Sequence, residues 1–104
     1  MNIVLKRIGL DGVYVKADGR LDLDSAVEYG TKVKDFIEDS DEVLKDVSLD
    51  FSEITFISSF GLKVILELYK ELKASQGTIK LTNVSEQIQA SFKMVGFDKF
   101  LTIE

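Results

Sequence analysis

The chain has 104 residues, with neither cysteine nor histidine and with a formal net charge of −5 from 18 acidic and 13 basic side chains. Without these two residue types it lacks disulfides, thiolate sites, the commonest zinc ligand and the commonest general base at neutral pH. The acidic balance, without any basic block, disfavours nucleic acid as a partner. We therefore expect one domain over residues 1–104 that is not an enzyme and that uses no metal or cofactor.

The sequence has no cationic segment followed by an apolar stretch and a small-residue cleavage site. Its longest strongly apolar run is about Val64-Ile65-Leu66, whereas a membrane-spanning helix needs about 20 apolar residues. We therefore expect a cytoplasmic protein without direct insertion into a membrane.

The first segments predict a β-hairpin. Ile3–Ile8 and Gly12–Ala17 are short apolar stretches around Asp11-Gly12, a dipeptide that favours a hairpin turn. In the second stretch, apolar and polar side chains alternate with the period of a half-buried strand. We expect the two strands to pair antiparallel, with Gly19-Arg20-Leu21-Asp22 leading out of the second one.

The next segment predicts an amphipathic helix from Ser25 to about Asp39. Its apolar residues recur at spacings of three and four, and charged residues occupy the rest of the helical wheel. Asp24 is the expected N-cap. Gly30 is expected to permit close packing against the sheet, at a cost of about 1 kcal/mol relative to alanine. The acidic segment 38–42 predicts a solvated loop.

The second half of the chain predicts two strand–helix units and a short apolar end. The expected ranges are Val47–Ser52 and Ser59–Ala74 for the first unit, Thr78–Leu81 and a helix from near Ser85 to Gly96 for the second, and Phe100–Ile103 for a last strand or tail. This order predicts an α/β fold, a mixed central β-sheet with amphipathic helices packed on it. Right-handed crossovers should join its parallel strands.

Two serines stand where the third strand turns into the second helix. The first backbone N–H groups of a helix lack intrahelical partners and the helix dipole adds partial positive charge, so this point suits an anion such as a phosphate. Ser59 has two interpretations that do not exclude each other: a helix N-cap, or the acceptor of a phosphoryl group. Ser58 is a second candidate hydroxyl.

Several segments, in this order and spacing, resemble the STAS domain, the fold of the bacterial anti-sigma factor antagonists. They are Gly19-Arg20-Leu21-Asp22, Leu49-Asp50-Phe51-Ser52, Phe56-Ile57-Ser58-Ser59-Phe60-Gly61-Leu62, Tyr69-Lys70-Glu71-Leu72, Leu81-Thr82-Asn83-Val84-Ser85 and Gly96-Phe97-Asp98-Lys99-Phe100-Leu101. In that family the second helix usually opens with aspartate, serine, a small residue, glycine and leucine, and the serine or threonine after the aspartate is phosphorylated.

The resemblance implies a non-enzymatic, partner-switching regulator of transcription with Ser59 as its phosphoacceptor. The unphosphorylated form would bind an anti-sigma factor that is also a serine protein kinase, phosphorylation would end that interaction, and a serine phosphatase would reset the switch. The chain departs from the family pattern at two positions, because Ser58 replaces the aspartate and Phe60 replaces the small residue before Gly61.

The expected partner-binding surface is the start of the second helix together with the loop before the first helix. It comprises Asp22, Ser58, Ser59, Phe60, Lys63 and Val64. Phe60 and Val64 belong either to a broad buried face or to this interface, and partial exposure is the preferred interpretation. For Asp22 and Asp24 a metal or catalytic pair is the alternative to turn and cap roles, which explain them better. The resemblance implies that Asp22 lies near the acceptor serine.

A second function, from another class, fits the same family resemblance. Small STAS domains also occur as constitutive subunits of membrane-lipid ABC transporters, where the domain would bind the ATPase without being phosphorylated. The missing aspartate at Ser58 and the bulky ring of Phe60 slightly favour this alternative.

Overall fold

The computed structural model describes residues 1–40 and 43–104, where two strands are followed by helices and strands in alternation. The strands are β1 (Ile3–Ile8), β2 (Gly12–Leu21), β3 (Asp46–Ile57), β4 (Thr78–Thr82) and β5 (Thr102–Ile103), and the helices are α1 (Leu23–Glu38), α2 (Ser59–Ala74) and α3 (Glu86–Met94). A short 3-10 helix, Phe97–Lys99, precedes β5. Within the described residues, no helix is both long and apolar enough to cross a bilayer.

The five strands form one mixed sheet in the order β1-β2-β3-β4-β5. β1 pairs antiparallel with β2, and each later pair is parallel. Because each parallel strand is added on the same side of the previous one, right-handed crossovers place the connecting helices on one face of the sheet. This arrangement confirms the predicted α/β fold with a mixed central sheet.

The two faces of the sheet differ in chemistry because side chains alternate along each strand. Val15, Leu49 and Leu81 are register neighbours on β2, β3 and β4, and all three are fully buried beneath the helices. The adjacent row on the opposite face is polar and partly exposed, and consists of Tyr14, Ser48 and Lys80. The sheet therefore buries one face and presents the other to solvent, as the alternating sequence predicts.

The second strand is longer than predicted and includes the first three residues, Gly19 to Leu21, of the segment that was expected to lead out of it. β2 continues to Leu21, and its last residues pair with the end of β3, Arg20 with Phe56 and Leu21 with Ile57. Register shifts after Lys16 and after Gly19 interrupt the simple alternation, and such bulges hide the strand from a period-2 analysis. β3 likewise runs unbroken to Ile57.

Helix α1 begins earlier than predicted, and its N-cap is Asp22 rather than Asp24. The Asp22 N–H donates to Ser25 Oγ over 3.0 Å, and Ser25 Oγ lies 3.0 Å from Asp22 Oδ1. This reciprocal contact is a capping box that starts the helix at Leu23. Gly30 faces Val64 of α2 rather than the sheet, because a Cβ atom on Gly30 would lie 2.8 Å from Val64 Cγ1.

The remaining boundaries are close to those predicted. α2 spans the expected Ser59–Ala74 and β4 extends one residue beyond the expected range, to Thr82. Ser85 caps α3, which ends at Met94 rather than at Gly96. The last strand is shorter than predicted because the 3-10 helix and a turn occupy the residues before Thr102. Of the expected loop 38–42, Glu38 belongs to α1, and Asp41 and Glu42 lie outside the described residues.

A buried carboxylate connects β2, β3 and the turn after β4 on the polar side of the sheet. Asp50 of β3 accepts hydrogen bonds from the Tyr14 hydroxyl, from the Ser52 N–H over 2.9 Å and from the Asn83 amide over 3.2 Å. Burial raises the pKa of Asp50, but the hydrogen bonds from Tyr14, Ser52 and Asn83 together outweigh burial and lower this pKa to about 2. The network holds β2, β3 and the turn after β4 in register.

We expect this network to make stability depend on pH in the acid range. Because the folded pKa of Asp50 is depressed, to about 2 from the ordinary 3.8, its ionised form stabilises the fold above about pH 4. That stability is lost as the pH falls from about 4 to about 2. The variant Asp50→Asn should be less stable than the parent protein at pH 7, and the difference should narrow across this window when measured by urea unfolding.

Asp46→Asn, at an exposed carboxylate on the same strand, controls for the loss of one negative charge. If the difference between Asp50→Asn and the parent protein stays constant from pH 7 to pH 2, the hydrogen-bonded carboxylate does not contribute as the structure indicates.

Candidate functional site

Ser58 is the N-cap of α2. Its backbone is extended, and its Oγ accepts a hydrogen bond from the Gly61 N–H over 3.1 Å. Its carbonyl accepts from the Leu62 N–H over 2.9 Å, which is the first hydrogen bond of the helix. This geometry corrects the interpretation of Ser59 as the N-cap, because the helix begins at Ser59 itself, one residue earlier than a cap at Ser59 would require.

Ser59 is the first residue of α2, and its side chain is exposed. Among the described residues, its hydroxyl has no hydrogen-bond partner. A primary alcohol therefore projects into solvent from a helix N-terminus, where unpaired N–H groups and the helix dipole favour a negative charge. Ser58, in contrast, is half-buried and uses its oxygen for the cap. Of the two candidate hydroxyls, Ser59 is the accessible one.

The start of α2 is held against the end of β2. The Ser58 N–H donates to the Leu21 carbonyl over 2.9 Å. A Cβ atom on Gly61 would lie 2.7 Å from that same carbonyl oxygen and 2.8 Å from Ile57 Cγ1. A residue larger than glycine does not fit at position 61 unless the backbone moves. The contact fixes where the first turn of α2, and with it Ser59, stands relative to the sheet.

Asp22 lies at the same end of the sheet as the two serines. It follows Leu21 at the end of β2, as Ser58 follows Ile57 at the end of β3, and Leu21 and Ile57 are register partners. Asp22 is half-buried and caps α1 through its contact with Ser25. The structure thus supports the turn and cap role of Asp22 and places its loop beside the start of α2.

The remaining residues of the expected surface divide into exposed and buried ones. Lys63 is exposed one turn after Ser59, and Phe60 is half-buried with its ring against the edge of the core. Val64 is only 9% exposed and contacts Gly30 of α1. The preferred interpretation that Val64 is partly exposed is therefore wrong, because the missing side chain at Gly30 lets the two helices approach and cover it. That Val64 contributes to partner binding stays a prediction.

Sequence reasoning missed a cation that lies beside the site. The guanidinium carbon of Arg20 lies 4.1 Å from the ring centroid of Phe56, a cation–π contact at the ends of β2 and β3. The two residues are register partners only because β2 continues beyond its bulges. A sequence signal existed in the position of Arg20 within Gly19-Arg20-Leu21-Asp22, but the strand was expected to end at Ala17.

The chain matches the sequence profile of the STAS domain over residues 2–104 and belongs to that family, which confirms the predicted resemblance. Its fold is similar to that of the anti-sigma factor antagonist SpoIIAA in its unphosphorylated form, with 20% identity, a TM-score of 0.82, and coverage of 99% of this chain and 88% of that one. The phosphorylated form of SpoIIAA, described as a Bacillus cell fate determinant, also has 20% identity, with a TM-score of 0.75 and coverage of 99% and 91%.

An anti-sigma factor antagonist from Mycobacterium paratuberculosis is similar as well, with 19% identity, a TM-score of 0.83, and coverage of 98% of this chain and 83% of that one. At these levels of identity, the likeness to the solved structures establishes the fold.

The glycine at the start of α2 provides a test of this site geometry. Gly61→Ala should lower the free energy of unfolding by about 1–3 kcal/mol, because the added methyl group meets the Leu21 carbonyl and the Ile57 side chain. The quantity is measured by urea denaturation. Ser59→Ala, at an exposed position in the same turn, is the matched control and should change stability little. Equal stability of the two variants would show that the contact between α2 and β2 is looser than described.

Proposed function

We propose that this protein is an anti-sigma factor antagonist-like partner switch with Ser59 as its phosphoacceptor. In its unphosphorylated form it binds an anti-sigma factor that is also a serine protein kinase, and phosphorylation of Ser59 releases that partner. A serine phosphatase restores the binding form. The observation that carries the proposal is the exposed Ser59 hydroxyl at the first position of α2, beside a separate capping serine.

The division of roles between the two serines lets the switch operate without unfolding the helix. Ser58 satisfies the Gly61 N–H with its own oxygen, so a phosphate on Ser59 does not remove the cap. The phosphate brings a charge of about −1.5 to −2 and three acceptor oxygens to a helix N-terminus, which favours negative charge. The modified protein should therefore remain folded.

Phosphorylation should weaken binding through the same charge. A kinase must bring the phosphates of ATP to the Ser59 hydroxyl, so after transfer the phosphoserine faces the phosphates of ADP at short range. Like charges at such distances repel, most strongly where the interface excludes water. The ATP and Mg²⁺ of the reaction come from the kinase, and the domain itself catalyses nothing in this proposal.

The partner-binding surface in this proposal surrounds the acceptor. Asp22, Ser58, Phe60 and Lys63 lie at or near the end of the sheet from which α2 starts. Phe60 is the apolar anchor, since half-buried aromatic side chains commonly dominate the energy of interfaces. A kinase, a phosphatase and a sigma-factor regulator act together in the cytoplasm, which is where we place the protein.

The first test is to locate the phosphate. We would incubate the purified protein with ATP and lysate from its source, then analyse it by intact-mass and peptide mass spectrometry. One phosphate per chain on Ser59 is expected, absent from Ser59→Ala and retained by Ser58→Ala. No phosphate despite a phosphorylated control substrate, or a phosphate that persists in Ser59→Ala, would refute Ser59 as the acceptor.

The second test measures the effect of the charge. Ser59→Asp should weaken binding to the kinase by about tenfold or more, equivalent to roughly 1.4 kcal/mol, whereas Ser59→Ala should bind as the parent protein does. The kinase recovered from the phosphorylation assay is immobilised, and affinities are compared by biolayer interferometry. Unchanged affinity of Ser59→Asp would count against a charge-operated switch.

The constitutive ABC transporter subunit is the second candidate function. It is favoured by the half-buried aromatic ring of Phe60 and by the neutral Ser58 at the position where the family usually has aspartate. In this function the domain binds the transporter ATPase with Ser59 unmodified. Absence of phosphate in the first test, together with co-purification of an ATPase, would favour it over the switch.

A further inference from the structure

Helix α1 exposes two large apolar side chains that are not part of its core stripe. Leu23 is 61% exposed and Val27 is 50% exposed. They are four residues apart, so they are neighbours on one face of the helix. The core stripe of the same helix consists of different residues, including Ala26, Tyr29 and Val33. The fold of the isolated domain therefore gives no reason for leucine and valine at these two positions.

Val27 and Phe60 line a shallow groove between α1 and α2, with a volume of about 210 Å³. Gly30 and Val64 also line it and are in close contact, so the groove narrows where the two helices approach each other. Phe60, which lines the groove, directly follows the proposed phosphoacceptor in the chain. The groove shares Phe60 with the proposed partner-binding surface and continues from there along α1.

Exposed acidic side chains stand beside the exposed apolar residues of α1, and we call this border the rim of the groove. Asp24 and Glu28 are exposed, are four residues apart, and each follows one of the exposed apolar residues, Leu23 and Val27. An acidic stripe therefore runs beside the apolar stripe along the helix. Glu67 adds a carboxylate from α2, and Lys34 in the groove is paired with Glu71 over 3.0 Å. A ligand that complements this rim is apolar in the centre and cationic at its edge.

We propose that the groove between α1 and α2 docks an amphipathic helix of the kinase that acts on Ser59, a helix with an apolar stripe bordered by lysine or arginine. This inference rests on the proposed function. A helix laid between two helices is a recurring mode of recognition, with apolar anchors at helical spacing. Leu23, Val27 and Phe60 receive the apolar stripe, and Asp24 and Glu28 pair with its cations. The groove holds the kinase while its active site reaches Ser59.

The test uses a synthetic peptide as the probe. It is an amphipathic helix of leucine, alanine and arginine with the leucines on one stripe, and a scrambled peptide of the same composition is the control. Each is titrated into the isotope-labelled full chain and followed by NMR. We expect saturable shifts over residues 23–31 and 60–67 with the striped peptide, and weaker, dispersed shifts with the scrambled one.

Matched variants separate the groove from general apolar contact. Val27→Ser should weaken peptide binding by about fivefold, whereas Val4→Ser should not, since Val4 is equally exposed, at 52%, but lies on β1. The double variant Asp24→Asn/Glu28→Gln should weaken binding at low salt and have less effect at high salt. All four residues substituted in these variants are exposed, so the variants should remain folded.

Several results would overturn the docking site. Three of them concern the peptide: no saturable shifts, equal binding of the scrambled peptide, or shifts centred on another surface such as that around Phe100. The fourth is a change in the groove signals with protein concentration when no peptide is present, which would assign the groove to a second copy of the chain. The peptide experiment does not depend on phosphorylation. Peptide binding without modification of Ser59 would refute the proposed function and the kinase as the occupant, and would leave only a groove that binds amphipathic helices. Modification of Ser59 without peptide binding would refute the docking site alone.

Discussion

The contact between the start of α2 and the end of β2 is the constraint on which the rest of the site depends. The Leu21 carbonyl accepts the Ser58 N–H and also leaves no room for a side chain at Gly61. A backbone carbonyl cannot rotate away as a side chain can, so the first turn of α2 has one position relative to the sheet. The direction in which Ser59 points is therefore set by the strand pairing of β2 and β3.

That strand pairing in turn depends on features that are not local to the site. β2 reaches Leu21 only because two bulges let it stay paired with β3 beyond Lys16. The same extension brings Arg20 over Phe56 and places Asp22 directly after the end of β2, where it caps α1. One continuous pair of strands thus positions the starts of both helices, and the candidate site lies where these two starts meet.

Much of the fold could be predicted from the sequence because periodic patterns record which face is buried. α2 has a strong stripe of apolar residues and a glycine after its end, and its predicted bounds are those of the structure. The bulged part of β2 escaped prediction, since a register shift breaks the alternation on which strand prediction depends. The N-cap of α1 was predicted two residues too late. The capping box at Asp22 uses a serine where the usual motif has glutamate or glutamine, so the sequence does not show the usual signal.

The position of the candidate acceptor could be predicted from the sequence, but the exposure of the residues around it could not. The serine-rich turn between a strand and a helix points to Ser59 from local sequence alone. Whether Val64 is exposed, in contrast, depends on how closely α1 approaches α2, and that distance is set by Gly30, 34 residues earlier in the chain. The exposed pair Leu23 and Val27 was overlooked because a helix expected to start at Ser25 does not include Leu23. Such properties arise from tertiary contacts rather than from local pattern.

Gly30 links the burial of Val64 to the shape of the surface beside Ser59. If α1 stood farther from α2, Val64 would be part of an open apolar face, and Phe60 and Val27 would not share a groove. Close approach of the helices buries Val64 and leaves Val27 and Phe60 at the border of the groove. The bulky ring of Phe60, at the position where the family usually has a small residue, then forms one wall of a groove rather than an isolated projection. In the proposed docking site, the departure at Phe60 and the exposed residues of α1 therefore have one physical explanation, a surface shaped for a partner that contacts both helices.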